Sequence, residues 1–249
     1  MGQDKLVKEP ILSVIVPCFN EARSLRSLLE RFSMAIGDRS VELLLVDNGS
    51  TDETAAVLAE QLGQPRFRFA RSVKVERNIG YGHGIMRGLQ EGRGTWLAFT
   101  HADMQCDPAD VIRGFDCLQS QPNPEGILVK GRRLGRPWPD RMLTIGMQIA
   151  ATALLRTVLT DINAQPKVFH RRLLSKLTTP PVDFNLDAYV LYAAKRAGLR
   201  ILTVPVTFGP RHYGVSKWAF SLPSKIRHIN SSFAFLCRLG FSRDSTSGT

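Results

Sequence analysis

Val41-Glu-Leu-Leu-Leu-Val46 runs directly into Asp47-Asn-Gly-Ser-Thr-Asp52, and this junction decides the fold. The apolar run lacks the alternation of a half-exposed strand, so it predicts a strand covered on both faces, as in a parallel sheet. The polar hexapeptide supplies Ser, Thr and Asp side chains suited to capping a helix, and Gly49 permits a tight turn. Working outward, Ile11-Leu-Ser-Val-Ile-Val-Pro17 reads as a second covered strand. After it, Leu25, Leu28, Leu29, Phe32 and Ile36 fall at helical spacing within 21–36. Further strands are expected at 66–70, 96–100, 126–130 and 199–204, with a short one near 167–169. Further helices are expected at 54–62, 107–118 and 186–197. Strands alternating with helices at this pitch predict an α/β protein with a mostly parallel sheet flanked by helices.

In such sheets chemistry gathers at the carboxyl ends of the strands. That rule selects residues 18–21, 47–52, 101–105 and 131–133, each polar or charged directly after an apolar run. Asp47 either caps the helix behind it or accepts hydrogen bonds from a base or ribose. In an extended 101–105 segment, alternate side chains His101, Asp103 and Gln105 would converge. A carboxylate and an amide carbonyl are hard oxygen ligands, suited to Mg²⁺ or Mn²⁺ with a diphosphate completing the shell.

The 249 residues carry 33 Lys and Arg against 22 Asp and Glu, a formal charge of +11. The surplus is localised: residues 1–125 balance at −3, whereas residues 126–243 balance at +15. No acid occurs from 188 to 243. An anionic partner is therefore expected in the second part of the chain. A nucleic-acid-binding protein is one alternative that the charge suggests, but no aromatic–basic recognition motif accompanies it. A pyridine-nucleotide dehydrogenase is disfavoured, because no G-x-G-x-x-G follows the first strand. Four cysteines without CxxC spacing fit free thiols in a reducing compartment. The first residues lack the apolar core of a signal peptide, and Leu6 breaks the myristoylation pattern. The apolar stretch 143–159 contains Gln148 and Arg156. A charge mid-bilayer costs roughly 2.5–3.5 kcal/mol, so that stretch is expected to be a buried or interfacial helix. Residues 218–239 mix aromatics with Lys225, Arg227 and Arg238. They fit either a packed terminal helix or one lying on an anionic membrane surface.

Four motifs in order, Ser13-Val-Ile-Val-Pro-Cys-Phe-Asn-Glu21, Val46-Asp-Asn-Gly-Ser-Thr-Asp52, Asn78-Ile-Gly-Tyr-Gly82 with Gly88, and the 101–105 segment, resemble the family 2 glycosyltransferases. The resemblance implies a GT-A fold, Rossmann-like and nucleotide-sugar-binding. A second set resembles the dolichyl-phosphate mannose synthase and polyprenyl-phosphate glycosyltransferase branch. It comprises Gly131-Arg-Arg133, Asp161 before Lys167-Val-Phe-His-Arg171, Leu186-Asp187, Val204-Pro-Val206 and Arg211-His-Tyr-Gly-Val-Ser-Lys217. The implied organisation is an arm at 1–10, a transferase domain at 11–217 and a basic amphipathic extension at 218–249. Within the domain, 11–133 would be the nucleotide-sugar half and 134–217 the acceptor half.

By this resemblance Pro17, Asn20, Glu21, Asp47, Asn48 and Gly80 would line the nucleoside pocket. Asp103 and Gln105 would hold a divalent metal and the donor diphosphate, with His101 beside them. Arg211, Ser216 and Lys217 would close over that diphosphate, and Arg132 and Arg133 would face an acceptor phosphate. The sequence departs from the family at His101, where Asp is usual, at Asn48, where a second Asp is common, and at Asp161-Ile-Asn-Ala-Gln-Pro-Lys167, which lacks the usual Ser-Gly pair.

The implied reaction is metal-dependent, inverting transfer of a sugar to polyprenyl phosphate or another lipid-linked acceptor. The enzyme would be cytoplasmic, peripheral on the cytoplasmic face of a membrane, with no nucleic-acid partner. Transfer to a saccharide hydroxyl is the alternative, and it would need a carboxylate base. Asp187 is then the first candidate and Asp161 the second. A phosphate acceptor is already largely ionised at pH 7 and needs arginines more than a base.

Overall fold

The computed structural model describes residues 9–135, 146, 148, 149, 151–209 and 222–241. Its centre is a seven-stranded sheet in the order β3-β2-β1-β4-β6-β5-β7. The strands are β1 (Leu12–Cys18), β2 (Val41–Asn48), β3 (Ala70–Val75), β4 (Trp96–Phe99), β5 (Ile127–Leu134), β6 (Lys167–His170) and β7 (Arg200–Thr207). All pairs are parallel except those of β6, which runs antiparallel to both β4 and β5. The two covered runs behave as their composition dictates. In β2 all eight residues are buried, and β1 pairs with it from Leu12 opposite Val41 to Cys18 opposite Asp47.

Helices α1 (Leu25–Ile36), α2 (Thr54–Leu62), α3 (Tyr81–Glu91), α4 (Pro108–Gln119) and α5 (Leu186–Arg196) flank the sheet, and α6 (Leu222–Phe241) follows β7. In α1 the five apolar residues at helical spacing are the buried ones. Burial of each such side chain contributes about 1.5–3 kcal/mol before the entropy of ordering it. Asp107 caps α4 by accepting from the Ala109 amide at 2.9 Å. One face of the sheet packs on α1 and α4; the other carries Ile15, Leu44, Phe99 and Phe169 against α3 and α5.

Two expected boundaries move. Residues 65–67 form a 3₁₀ turn led by Pro65, so the third strand begins at Ala70 instead of 66. β3 is an edge strand, with Val73 and Val75 buried between exposed Ser72 and Lys74, a pattern that a search for continuous apolar runs passes over. β5 continues to Leu134, because β7 pairs with it as far as Leu134 opposite Thr207 after β6 has stopped at Lys130. Arg132 and Arg133 therefore lie within a strand, not in a loop beyond it.

The apolar stretch near 143–159 is helical at 151–155, where Ala151 and Leu155 are fully buried, and Arg156 leaves the helix at φ +48°. The terminal half of α6 packs on it: Leu236 is buried, Phe235 meets the Tyr189 ring edge-on at 6.5 Å, and Gly240 lies against the Leu154 carbonyl. This half of α6 is a packed helix, although Phe233 remains 51% exposed.

Candidate active site

The ends of β1 and β2 are joined by short polar contacts. Asn20, in a left-handed turn at φ +58°, accepts the Thr51 amide at 2.8 Å and donates its own backbone amide to Ser50 Oγ at 3.1 Å. The Glu21 amide donates to Thr54 Oγ1 at 2.9 Å, and Asp47 Oδ1 accepts the Ser50 amide at 3.0 Å. Pro17 is half-buried beside this turn. The structure thus brings Pro17, Asn20, Glu21 and Asp47 together, with the Asn20 amide spent on holding the two turns.

Asn48 is 3% exposed and donates to the Gly80 carbonyl at 2.9 Å, tying β2 to the start of α3. An aspartate could not make that bond, which accounts for asparagine here. Gly80 is required on two counts: its φ is +139°, and a Cβ there would stand 2.2 Å from the Val182 carbonyl oxygen.

The 101–106 segment is a series of bends, not an extended strand, and Met104 takes φ +54°. The expected convergence of His101, Asp103 and Gln105 by simple alternation is corrected accordingly. The His101 ring turns inward, with Nε2 2.9 Å from the Tyr81 hydroxyl and 3.4 Å from Gln165 Nε2. Burial pushes its pKa down, against the opposing pull of Asp103 and Asp187. Asp103 is 8% exposed and accepts the Gln105 amide at 3.2 Å. The Gln105 side chain donates from Nε2 to the Gly209 carbonyl at 3.1 Å, and the Gly209 amide returns a bond to the Gln105 carbonyl at 2.9 Å.

Beneath this segment lies a charged cluster in which sequence reasoning had named Asp187, Asp161 and Arg133 but not Lys130, Gln165 or the pairing of Lys167. Lys167 and Asp187 form a buried ion pair, their side chains 0% and 2% exposed. Burial pushes the Lys167 ammonium down and Asp187 draws it back up. Gln165 Nε2 donates to Asp187 at 2.9 Å and to the Tyr81 hydroxyl at 3.2 Å. Asp161 accepts the Arg133 amide at 2.7 Å and the guanidinium Nε at 2.8 Å, with Arg133 Nη2 on the same oxygen. Burial alone would raise Asp161, but these bonds hold it below the usual carboxylate range. Arg132, the next residue back along β5, is exposed.

Lys130, 1% exposed, donates to the Gly131 and Asp161 carbonyls at 3.0 and 3.1 Å, its only hydrogen-bond partners among the described residues. Burial, reinforced by neighbouring Lys167, lowers its pKa to about 7. The signal for these residues was a lysine inside each of two apolar strands, Ile127-Leu-Val-Lys130 and Lys167-Val-Phe169. Arg211, Ser216 and Lys217 lie outside the described residues.

The profile of glycosyl transferase family 2 matches residues 13–178. The chain belongs to that family. This glycosyltransferase is 31% identical over 220 residues to an uncharacterized glycosyltransferase of Mycobacterium tuberculosis, covering 86% of this chain and 93% of that one. It is 35% identical over 229 residues to the dodecaprenyl-phosphate galacturonate synthase of Rhizobium johnstonii, covering 88% of this chain and 65% of that one. A crystal structure of glucosyl-3-phosphoglycerate synthase from Mycobacterium tuberculosis, in complex with Mn²⁺, UDP and glucosyl-3-phosphoglycerate, superposes with a TM-score of 0.69. That match, at 23% identity, covers 92% of this chain and 80% of that one. The fold is the GT-A fold that the sequence motifs implied.

Proposed function

We propose that this glycosyltransferase moves a sugar from a nucleotide-sugar donor to the phosphate of a polyprenyl lipid, with inversion at the anomeric carbon. One observation carries the choice of acceptor: both carboxylates that could serve as a base are already committed. Asp187 is buried on Lys167 and Asp161 spends both oxygens on Arg133. A hydroxyl acceptor must lose a proton as it attacks, whereas a phosphate brings an anionic oxygen. In the single displacement that follows, the bond from the anomeric carbon to the acceptor phosphate oxygen forms. The bond to the nucleoside diphosphate breaks, and no proton is removed. The galacturonate synthase of Rhizobium johnstonii, by its name a dodecaprenyl-phosphate enzyme, supports the same acceptor class.

Pro17, Glu21 and Asp47 would contact the nucleoside. Asn48 and Gly80 would shape the pocket from behind through their mutual hydrogen bond. The donor set at 103–105 fits a divalent cation: a carboxylate and an amide oxygen two residues apart, hard ligands both. Among the described residues no group of three or more His, Cys, Asp and Glu side chains could hold a metal, so diphosphate oxygens would complete the shell. Mg²⁺ or Mn²⁺ there would supply positive charge to the departing diphosphate. His101, turned to Tyr81, would position this segment from behind. Arg132 would meet the acceptor phosphate directly, with Arg133 setting its strand through Asp161.

Among the described residues no helix is long and apolar enough to cross a membrane. Peripheral attachment would draw on the +15 balance of residues 126–243, and flotation with anionic liposomes at low and high salt tests it.

The decisive assay offers UDP-, GDP- and dTDP-sugars with Mn²⁺ or Mg²⁺ and undecaprenyl phosphate, and follows sugar into the lipid fraction. Sugar–phosphate–lipid formation is the expected result. Transfer to a saccharide hydroxyl with none to prenyl phosphate would overturn the acceptor. Failure of every nucleotide to raise the melting temperature would overturn the donor class as well.

A further inference from the structure

Three basic side chains of β5 and β6 are drawn into the charged cluster, and two of them have a carboxylate. Arg133 has Asp161 and Lys167 has Asp187. The third, Lys130, has only the Gly131 and Asp161 carbonyl oxygens among the described residues, at 3.0 and 3.1 Å. The chain closes over it. The Gly131 amide donates to the Pro166 carbonyl at 2.9 Å, and a Cβ on Gly131 would collide with the Gln165 carbonyl. Leu128, two residues back along β5, packs on the α3 and α5 side of the sheet, so by strand alternation Lys130 and Arg132 project to that side too. Arg132 is exposed where Lys130 is buried. Facing Lys130 are Lys167 from β6, Asp187 from α5, Asp161 from the chain before β6 and Arg133 from its own strand.

With every group ionised, Lys130, Lys167, Arg132 and Arg133 exceed Asp161 and Asp187 by two positive charges. A buried ammonium without a counter-ion is unfavourable, so burial leaves the amine largely neutral above about pH 7. A phosphate monoester at that pH carries close to two negative charges, the complement of the fully charged cluster. We propose that Lys130 makes acceptor binding proton-linked: as an anionic phosphate settles on Arg132, the buried amine takes one proton from solvent and becomes the ammonium that completes the balance of charge. The linkage rests on the phosphate acceptor proposed above. Lys130 touches no reacting atom; it is a positioning residue that sets how firmly the Arg132 side of the site holds a dianion, through a low-dielectric interior. Transfer turns the monoester into a diester with one negative charge. The diester holds the proton less firmly, so the proton returns to solvent as product leaves.

Calorimetric titration of the full chain with geranyl phosphate at pH 8 tests the linkage, in two buffers of different ionisation heat, whose difference counts protons. At pH 8 the phosphate itself no longer titrates. The unaltered protein should take up about half a proton or more per geranyl phosphate bound, and its affinity should fall at least about threefold from pH 7.5 to 9. Lys130→Met, or Lys130→Gln should the first not fold, should lose both the uptake and the decline. Binding by the unaltered protein without proton uptake overturns the linkage and leaves the phosphate acceptor standing. The same uptake in the variant assigns the proton to another group and overturns the linkage equally. No binding of geranyl phosphate by the unaltered protein between pH 6 and 9 overturns the acceptor, and the linkage with it.

Discussion

Asp187 opens α5 with its carboxylate on the ammonium of Lys167, and neither side chain reaches solvent beyond 2%. The Lys167 ammonium sits over the Phe99 ring, 5.2 Å from its centroid. Such a pair is costly to form, but breaking it from one side costs more, since an uncompensated charge stays buried. Lys167→Met should therefore destabilise the protein by about 3–5 kcal/mol. Lys167→Met with Asp187→Leu should recover much of that loss. Urea unfolding of the single and double variants checks this; a double variant no better than the single one would contradict it.

Arg133 and Asp161 give an acid-sensitive link. Asp161 is held below its ordinary pKa, so its contribution is complete above about pH 4, the unfolded value. It is lost as pH falls through the lower folded value. Asp161→Asn should flatten the decline of stability on acidification below pH 4, and should itself be less stable at pH 7. Urea midpoints between pH 2.5 and 7 compare the two proteins.

Lys130 behaves in the opposite sense. Its pKa of about 7 lies below the ordinary value near 10.4. Between the two values the unfolded chain holds a proton that the folded one has released, so stability from this group rises with pH. Relative to Lys130→Met, the unaltered protein should gain about 1.4 kcal/mol per pH unit from pH 7 to 10. Parallel pH profiles of the two proteins would show Lys130 to be no source of that gain.

At the mouth of the site, Asn48→Asp removes the donor to the Gly80 carbonyl and brings a carboxylate against it. A loss of about 1–3 kcal/mol is expected. Gly80→Ala adds a Cβ 2.2 Å from the Val182 oxygen at φ +139° and should cost at least about 2 kcal/mol. Thermal melting measures both, and nucleotide affinity should fall with them.

The GT-A sheet was legible because β1 and β2 are short-range patterns: apolar runs whose burial on both faces follows from composition. The polar ends of the strands were legible for the same reason. The edge strand β3 was placed too early because its burial alternates, and β5 outran its apolar stretch because β7 pairs with Arg132 and Arg133. A ladder hydrogen bond belongs to two strands, and only one of them can be read at a time.

The sequence by itself determined which residue types carry the chemistry: Asp47 and Asp103 at or after strand ends, the arginines of β5 and the two candidate bases. Whether each is open to a ligand was decided only by the tertiary structure. Lys167 meets Asp187 across 20 positions of sequence and Arg133 meets Asp161 across 28. His101 turns to Tyr81 because α3 packs on the face where β4 ends. Burial and charge pairing depend on what lies across the fold, and they separate a carboxylate that can take a proton from one already neutralised.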